Sequence, residues 1–228
     1  MDDARIAELL APFLSGSQHR EGKAGIRNSA TLSPTQVRHI SMYIDILLRW
    51  NARINLTAVR DPEGIVTRHF GESIFAARQL FPQGEVGAGT RPHVIDVGSG
   101  AGFPGLPLKI WAPHIHLTLI ESSQKKATFL KEVVRSLGLS DVDVFAGRAE
   151  EFPKHKGDVV TFRAVERFES VVQIASDLLG DSGCLAIMLG GTQLSRVRAL
   201  LPGLKWETPI SLPLSSNRAV IIGRKESR

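Results

Sequence analysis

Hydrophobic positions in the first third of the chain recur at three- and four-residue intervals. Val37, Ile40, Ile44, Leu47 and Leu48 fall on one face, the spacing of an amphipathic helix. Just before them, Ser33-Pro34-Thr35-Gln36 combines an N-cap serine, a proline at the first helical position and a capping-box glutamine. The sequence therefore predicts a helix from Ser33 through about Trp50. Asp61-Pro62 opens a second helix, and Val66, Phe70, Ile74 and Ala77 carry its stripe toward Leu80. Residues 1–92 read as a helical region. Within it, 15–31 is a polar, turn-rich linker or loop, and 81–92, with two prolines and three glycines, joins this region to the rest of the chain.

From His93 the pattern changes. Short apolar runs at 94–97, 117–120, 142–145, 159–162 and 185–189 alternate with amphipathic stretches near 104–111, 123–138, 167–180 and 192–200. Buried strands alternating with helices imply right-handed crossovers and an α/β fold: a mainly parallel, doubly wound, Rossmann-like sheet covered on both faces, carrying an N-terminal helical extension. Two further strands are expected near 205–210 and 218–223.

Composition narrows the class. Hydrophobic residues make up 43% of the 228 and charged residues 22%, ordinary globular usage that excludes a disordered or fibrous chain. The strongest apolar runs, such as 184–189, fall far short of the roughly 20 residues of a membrane-spanning helix. The acidic start Met1-Asp2-Asp3 lacks the features of a secretory signal, so a cytoplasmic location is expected. The single cysteine, Cys184, excludes a disulfide scaffold and a cysteine-based zinc site. His114 and His116 alternate without an evident third ligand, so no metal is expected. The net charge of +5 permits a polyanionic partner. It is spread, with 11 basic and 9 acidic residues in 1–92 and 17 and 14 in 93–228, so a nucleic-acid footprint has to arise from folding.

The strongest chemical signal is Val94-Ile95-Asp96-Val97-Gly98-Ser99-Gly100-Ala101-Gly102-Phe103-Pro104-Gly105, a strand entering a glycine-rich turn and then a helix. Glycines allow a tight turn and close approach of backbone to ligand, at the carboxyl edge where doubly wound sheets bind nucleotides. Gly100, Gly102 and Gly105 fit G-x-G-x-x-G, which keeps an NAD(P)-binding oxidoreductase open. Against it, Asp96 precedes the first glycine by two residues, awkward beside a pyrophosphate and useful beside a cationic or hydroxyl-bearing ligand. The next strand ends in Glu121, whose two oxygens suit a pair of ribose hydroxyls in either reading. Strand, acid and glycine turn together resemble a class I S-adenosylmethionine (SAM)-dependent methyltransferase.

A more specific resemblance covers about 50–190. Its landmarks are Trp50-Asn51, 55–62 (NLTAVRDP), Arg68-His69, the glycine loop, Lys125-Lys126, Phe129-Leu130, 147–151 (GRAEE) and Arg163-Ala164-Val165. On these the chain resembles the RsmG (GidB) family of 16S rRNA guanine-N7 methyltransferases. The resemblance implies a SAM-binding methyltransferase domain in 93–228 and, as partner, 16S rRNA or the 30S subunit. It implies an enzyme; separately, no membrane partner and a monomeric state are expected. It places Gly98 and Phe103 in the cofactor loop, Ala149 and Glu150 beside the adenine, and Arg163 beside cofactor and acceptor. With Asp96, Gly100 and Glu121 these form the expected cofactor set, and Arg163 and Arg148 are the candidates for acceptor RNA or local orientation. Arg148 and Arg163 have a second reading as partners of Glu150, Glu151 or Glu166 in ion pairs. Lys125, Lys126, Lys131 and Arg135 are either a phosphate-binding helix face or a solvated one. Trp50, Tyr43 and Phe70 fit the core better than base stacking.

Two positions depart from the family pattern. Leu189 stands where members commonly carry the lysine of Leu-Lys-Gly, so either another cation serves or the activity differs; a non-catalytic RNA- or ribosome-binding descendant is the third reading. Glu72 stands for the aspartate of His-x-x-Asp-Ser, which keeps the charge. Guanine N7 has an in-plane lone pair and needs no deprotonation, so alignment and exclusion of water are the expected mechanism.

Overall fold

The computed structural model describes residues 1–15, 30–82, 91–153, 156–165 and 167–225. Most of the expected linker at 15–31 and of the join at 81–92 lies outside these described residues. The helical layer comprises α1 (Asp3–Leu14), α2 (Pro34–Asn51), α3 (Pro62–Ile65), a π-helical turn (Val66–Gly71) and α4 (Glu72–Leu80). Helix α1, not singled out in the sequence pattern, is capped by Asp2, which accepts from the Arg5 amide at 2.8 Å, and it buries Ile6, Leu10, Phe13 and Leu14.

Helix α2 begins as its capping box predicts. The Gln36 amide donates to Ser33 Oγ at 3.2 Å and the Ser33 amide to Gln36 Oε1 at 2.8 Å. The rest of the Gln36 amide group reaches the end of another helix, α5 (Gly105–Trp111), donating from Nε2 to the carbonyl of Ile110 at 2.9 Å. One side chain thus caps α2 and docks it. Asp61 caps α3 through the Gly64 amide at 2.5 Å. Val66, Phe70, Ile74 and Ala77 are buried as the stripe requires, but the helix passes through the π turn before resuming as α4.

The sheet contains β1 (His93–Val97), β2 (His116–Ile120), β3 (Val142–Phe145), β4 (Gly157–Arg163), β5 (Leu179–Gly190), β6 (Leu204–Trp206), β7 (Ile210–Ser211) and β8 (Arg218–Lys225). Its order is β3-β2-β1-β4-β5-β8-β6, with β7 beside β8. Strands β1 to β5 are parallel and β8 is antiparallel to β5, β6 and β7. The strand expected near 205–210 is split, because Pro209 has no N–H to give a ladder. Strand β5 begins at Leu179, earlier than its apolar run, and a register shift against β4 accommodates Gly180 to Gly183.

Two cores flank the sheet. One joins the helical layer, α5 and α6 (Gln124–Ser136) to one face; the other packs α7 (Phe168–Asp177) and α8 (Gly191–Leu200) on the opposite face. The order reverses between β1 and β4, so their carboxyl ends flank the topological switch point, the general ligand site of such sheets.

Candidate active site

The glycine loop leaves β1 at that switch point. Gly98, Gly100 and Gly102 all have positive φ, +70°, +57° and +84°, values that residues with a Cβ adopt only at a cost. The Gly98 and Ser99 amides donate to the carbonyl of Ile120 at 2.9 and 3.0 Å, tying the loop to the end of β2. There Glu121, 6% exposed, accepts from the Gly100 amide at 2.8 Å through Oε2 and from the Ser123 amide at 2.7 Å through Oε1. Each oxygen keeps a further lone pair. The acid read from the sequence as a ribose acceptor is therefore held in one orientation by the loop it serves.

A cavity of about 320 Å³ opens on this edge, within the range of small-ligand sites. Val97, Gly98, Arg148, Ala149 and Glu150 line it, closed on the far side by Arg167 and Val171 of the α7 region. Gly98, Arg148, Ala149 and Glu150 are thus brought together as expected from the order of strands. Arg148 is exposed, and neither Glu150 nor Glu151 pairs with it among the described residues.

Asp96 and Phe103 sit elsewhere than on the cavity wall. Asp96 is fully buried behind the loop. Its Oδ2 accepts from the Gly105 amide at 3.1 Å, and its Oδ1 has no partner among the described residues. Burial pushes this carboxyl up to about 7, against the pull of its hydrogen bonds. The Phe103 ring is committed to the helical layer, stacked on Tyr43 at 5.4 Å and on His69 at 4.8 Å. Only its backbone remains for the loop. Tyr43 and Phe70 are fully buried, and Trp50 is half-buried with its indole N–H on Glu132; all three belong to the core.

Arg163 is ion-paired, but not to Glu150 or Glu151. Its ion-pair partner is Glu72 of α4, 3.0 Å from Nη2, and the other oxygen of Glu72 meets Arg218 Nη1 at 2.6 Å; Glu166 lies outside the described residues. Burial pushes the Glu72 carboxyl above its ordinary range while Arg163, Arg218 and Arg68 pull it down. The signal that could have found this group was Glu72 itself, a charge among Phe70, Ser73, Ile74 and Phe75 on the buried stripe. Leu189 is buried in the core beneath α7 and α8. Lys125, Lys131 and Arg135 line the exposed side of α6, with no ion pair among the described residues.

The residues present fit SAM. The loop glycines give backbone a close approach, Glu121 offers fixed acceptors, and the orphaned buried oxygen of Asp96 suits a ligand with a cationic group. Fold and site together define a class I SAM-dependent methyltransferase, with SAM as its cofactor. Solved structures share the fold: a SAM-dependent methyltransferase from Aquifex aeolicus (TM-score 0.54, 17% identity, 72% of this chain and 93% of that one) and M. jannaschii TYW2 in complex with AdoMet (TM-score 0.55, 16% identity, 78% and 80%). The profile of the family described as rRNA small subunit methyltransferase G matches residues 36–202. The chain belongs to that family. Relatives named ribosomal RNA small subunit methyltransferase G include one from an Exiguobacterium species, 39% identical over 196 residues (75% of this chain, 79% of the relative). Another, from Stenotrophomonas maltophilia, is 37% identical over 213 residues (91% and 93%). Neither the oxidoreductase nor the non-catalytic reading is favoured by these likenesses.

Proposed function

We propose that this chain transfers the methyl group of SAM to N7 of a guanine in 16S rRNA of the small ribosomal subunit, acting as a cytoplasmic monomer. The observation that carries the reading is the junction of the glycine loop with Glu121 at the switch point, in a chain of this family. SAM supplies a methyl group on positively charged sulfur. Gly98 and Gly100 would bring backbone against it, Glu121 would accept from its ribose, Ala149 and Glu150 would flank its adenine, and Asp96 would answer its ammonium. Residues 93–228 would be the SAM-binding domain, with residues 1–92 as its N-terminal helical region. With a nucleophile that already bears its lone pair, no side chain has to remove a proton. The protein's part is to hold N7 in line and keep water away.

The test is methyl transfer from labelled SAM to 30S subunits and to free 16S rRNA from cells lacking the modification, with the product base mapped. A single N7-methylguanine is the expected result. SAM binding with no labelled RNA from either substrate would overturn the acceptor assignment.

A further inference from the structure

Outside the lining of the cavity, where the π turn and α4 meet the end of β4, lies a second group of polar atoms. His69 Nδ1, Glu72 Oε2, Ser73 Oγ and Arg163 Nη1 are buried and have no hydrogen-bond partner among the described residues, the ion pair of Glu72 Oε2 with Arg163 Nη2 lacking hydrogen-bond alignment. An orphaned polar atom in a core costs on the order of 1–3 kcal/mol, so the three with no ion pair either, His69 Nδ1, Ser73 Oγ and Arg163 Nη1, point to a ligand that completes them. Glu72 organises the group. Its side chain is 3% exposed, and it holds Arg163, 13% exposed at the end of β4, and Arg218, 27% exposed at the start of β8. His69 is fixed by Thr57 Oγ1, 2.7 Å from Nε2, and by the Phe103 ring. Burial, with Arg163 and Arg68 nearby, holds the imidazole neutral by pushing it down to about 3. His69 lies in the π turn at Val66–Gly71, a rare element frequent at functional sites, and Glu72 and Ser73 directly follow it.

We propose that this group is the acceptor-base clamp: Arg163 donates through Nη1 to O6 of the target guanine, and Glu72 is the positioning residue that sets its guanidinium. The inference rests on the guanine-N7 reading and adds how the base is chosen. N7 and O6 are neighbouring acceptors on one edge of guanine, whereas adenine carries an N–H₂ donor in place of O6. A donor fixed beside N7 therefore admits guanine and repels adenine. Methylation also places positive charge on the base, which a guanidinium opposes; the Glu72 carboxylate, shared with Arg218, offsets part of that opposition. Arg218 bears on position 189 as well. It pairs across the ladder with Gly190 and brings a cation to the edge where Leu189 brings none.

The test compares wild type with Glu72→Gln, Glu72→Asp and Arg163→Lys. SAM affinity is measured by calorimetry, transfer to 30S subunits by steady-state kinetics, and GMP against AMP binding by saturation-transfer NMR with S-adenosylhomocysteine present. Glu72→Gln is expected to lower kcat by about tenfold or more with SAM affinity within about twofold. Glu72→Asp restores most of the rate, and Arg163→Lys, which keeps the charge and loses the fork, abolishes the preference for GMP. Wild type that does not favour GMP over AMP overturns the clamp, as does a Glu72→Gln variant that transfers at the wild-type rate or loses SAM binding in step. Wild type that favours GMP yet methylates neither 30S subunits nor free rRNA supports the clamp and overturns the rRNA reading.

Discussion

Replacing Asp96 by asparagine tests the electrostatics behind the glycine loop. The carboxyl is held at about 7 against an ordinary value of 3.8, with burial the main cause. About three pH units at 1.36 kcal/mol each give an upper limit of about 4 kcal/mol of stability tied to its protonation. For an acid whose native pKa is raised, that stability is fully present below the unfolded pKa and is lost as pH rises through the native one. Between about pH 5 and about pH 8 wild type should lose up to about 3 kcal/mol from this group. Asparagine has no such loss. Its side-chain oxygen still accepts from the Gly105 amide, and its NH₂ replaces the orphan oxygen at a pH-independent cost of about 1–3 kcal/mol. Glu72 and His69 shift in both proteins and cancel in the difference. Urea unfolding of both across that range should show the difference moving in favour of the variant as pH rises. SAM binding should tighten with pH in wild type, as the ammonium favours the carboxylate, and stay flat in the variant. Parallel stability curves would refute the assignment of Asp96 as an uncompensated buried acid.

Gly102→Ala should destabilise by about 2–5 kcal/mol, from a positive φ and from a Cβ that would overlap the Tyr43 hydroxyl and lie 2.6 Å from Leu106 Cδ1. Gly138→Ala is the control, with φ +61° and nothing within 4 Å of its Cβ, and should cost only about 1–2 kcal/mol in the same urea titration. Arg148→Ala, at an exposed side chain on the cavity rim, should lower the slope of log affinity for 30S subunits against log salt by about one, with an unchanged unfolding midpoint; an unchanged slope would remove Arg148 from phosphate contact.

Much of this architecture was legible because local rules and tertiary need agree. The capping box at Ser33, the cap at Asp61 and the alternation after His93 each place an element within a few residues of where it lies. The glycine loop was legible for the same reason, since a strand, an acid and glycines at that spacing meet few other needs. What escaped was either local competition or long-range pairing. The π turn keeps the same buried stripe as an α-helix, so periodicity does not reveal it. The ends of β5 depend on a bulge against β4. The Arg163 partner is 91 residues away in sequence and on another layer, whereas sequence proximity favours the acids at 150, 151 and 166 over Glu72. Phe103 obeys the same logic: its neighbours are aromatic rings of α2 and the π turn, contacts no local pattern encodes.

Those long-range contacts bear on how the two sides of the site act together. Tyr43 of α2 donates its hydroxyl to the carbonyl of Ala101 within the glycine loop, and its ring stacks on Phe103, two residues further along. Gln36 of the same helix holds the end of α5, whose first residue, Gly105, gives its amide to Asp96. Gly105 is there because a Cβ would lie 2.7 Å from Asp96 Oδ2. The cofactor loop is therefore shaped from both directions, by β2 through Glu121 and by the helical layer through Tyr43 and Gln36. On the other side of β1, the same layer sets Arg163 through Glu72. A shift of α2 against α4 would move the methyl donor's cradle and the base clamp by different amounts, and in-line transfer tolerates displacements of only about 1 Å before the rate falls by about a hundredfold. The aromatic packing of Tyr43, Phe70 and Phe103 at centroid distances of 5.1 to 5.4 Å is what keeps the two in register, so its role in catalysis is geometric although none of the three rings has to touch the RNA.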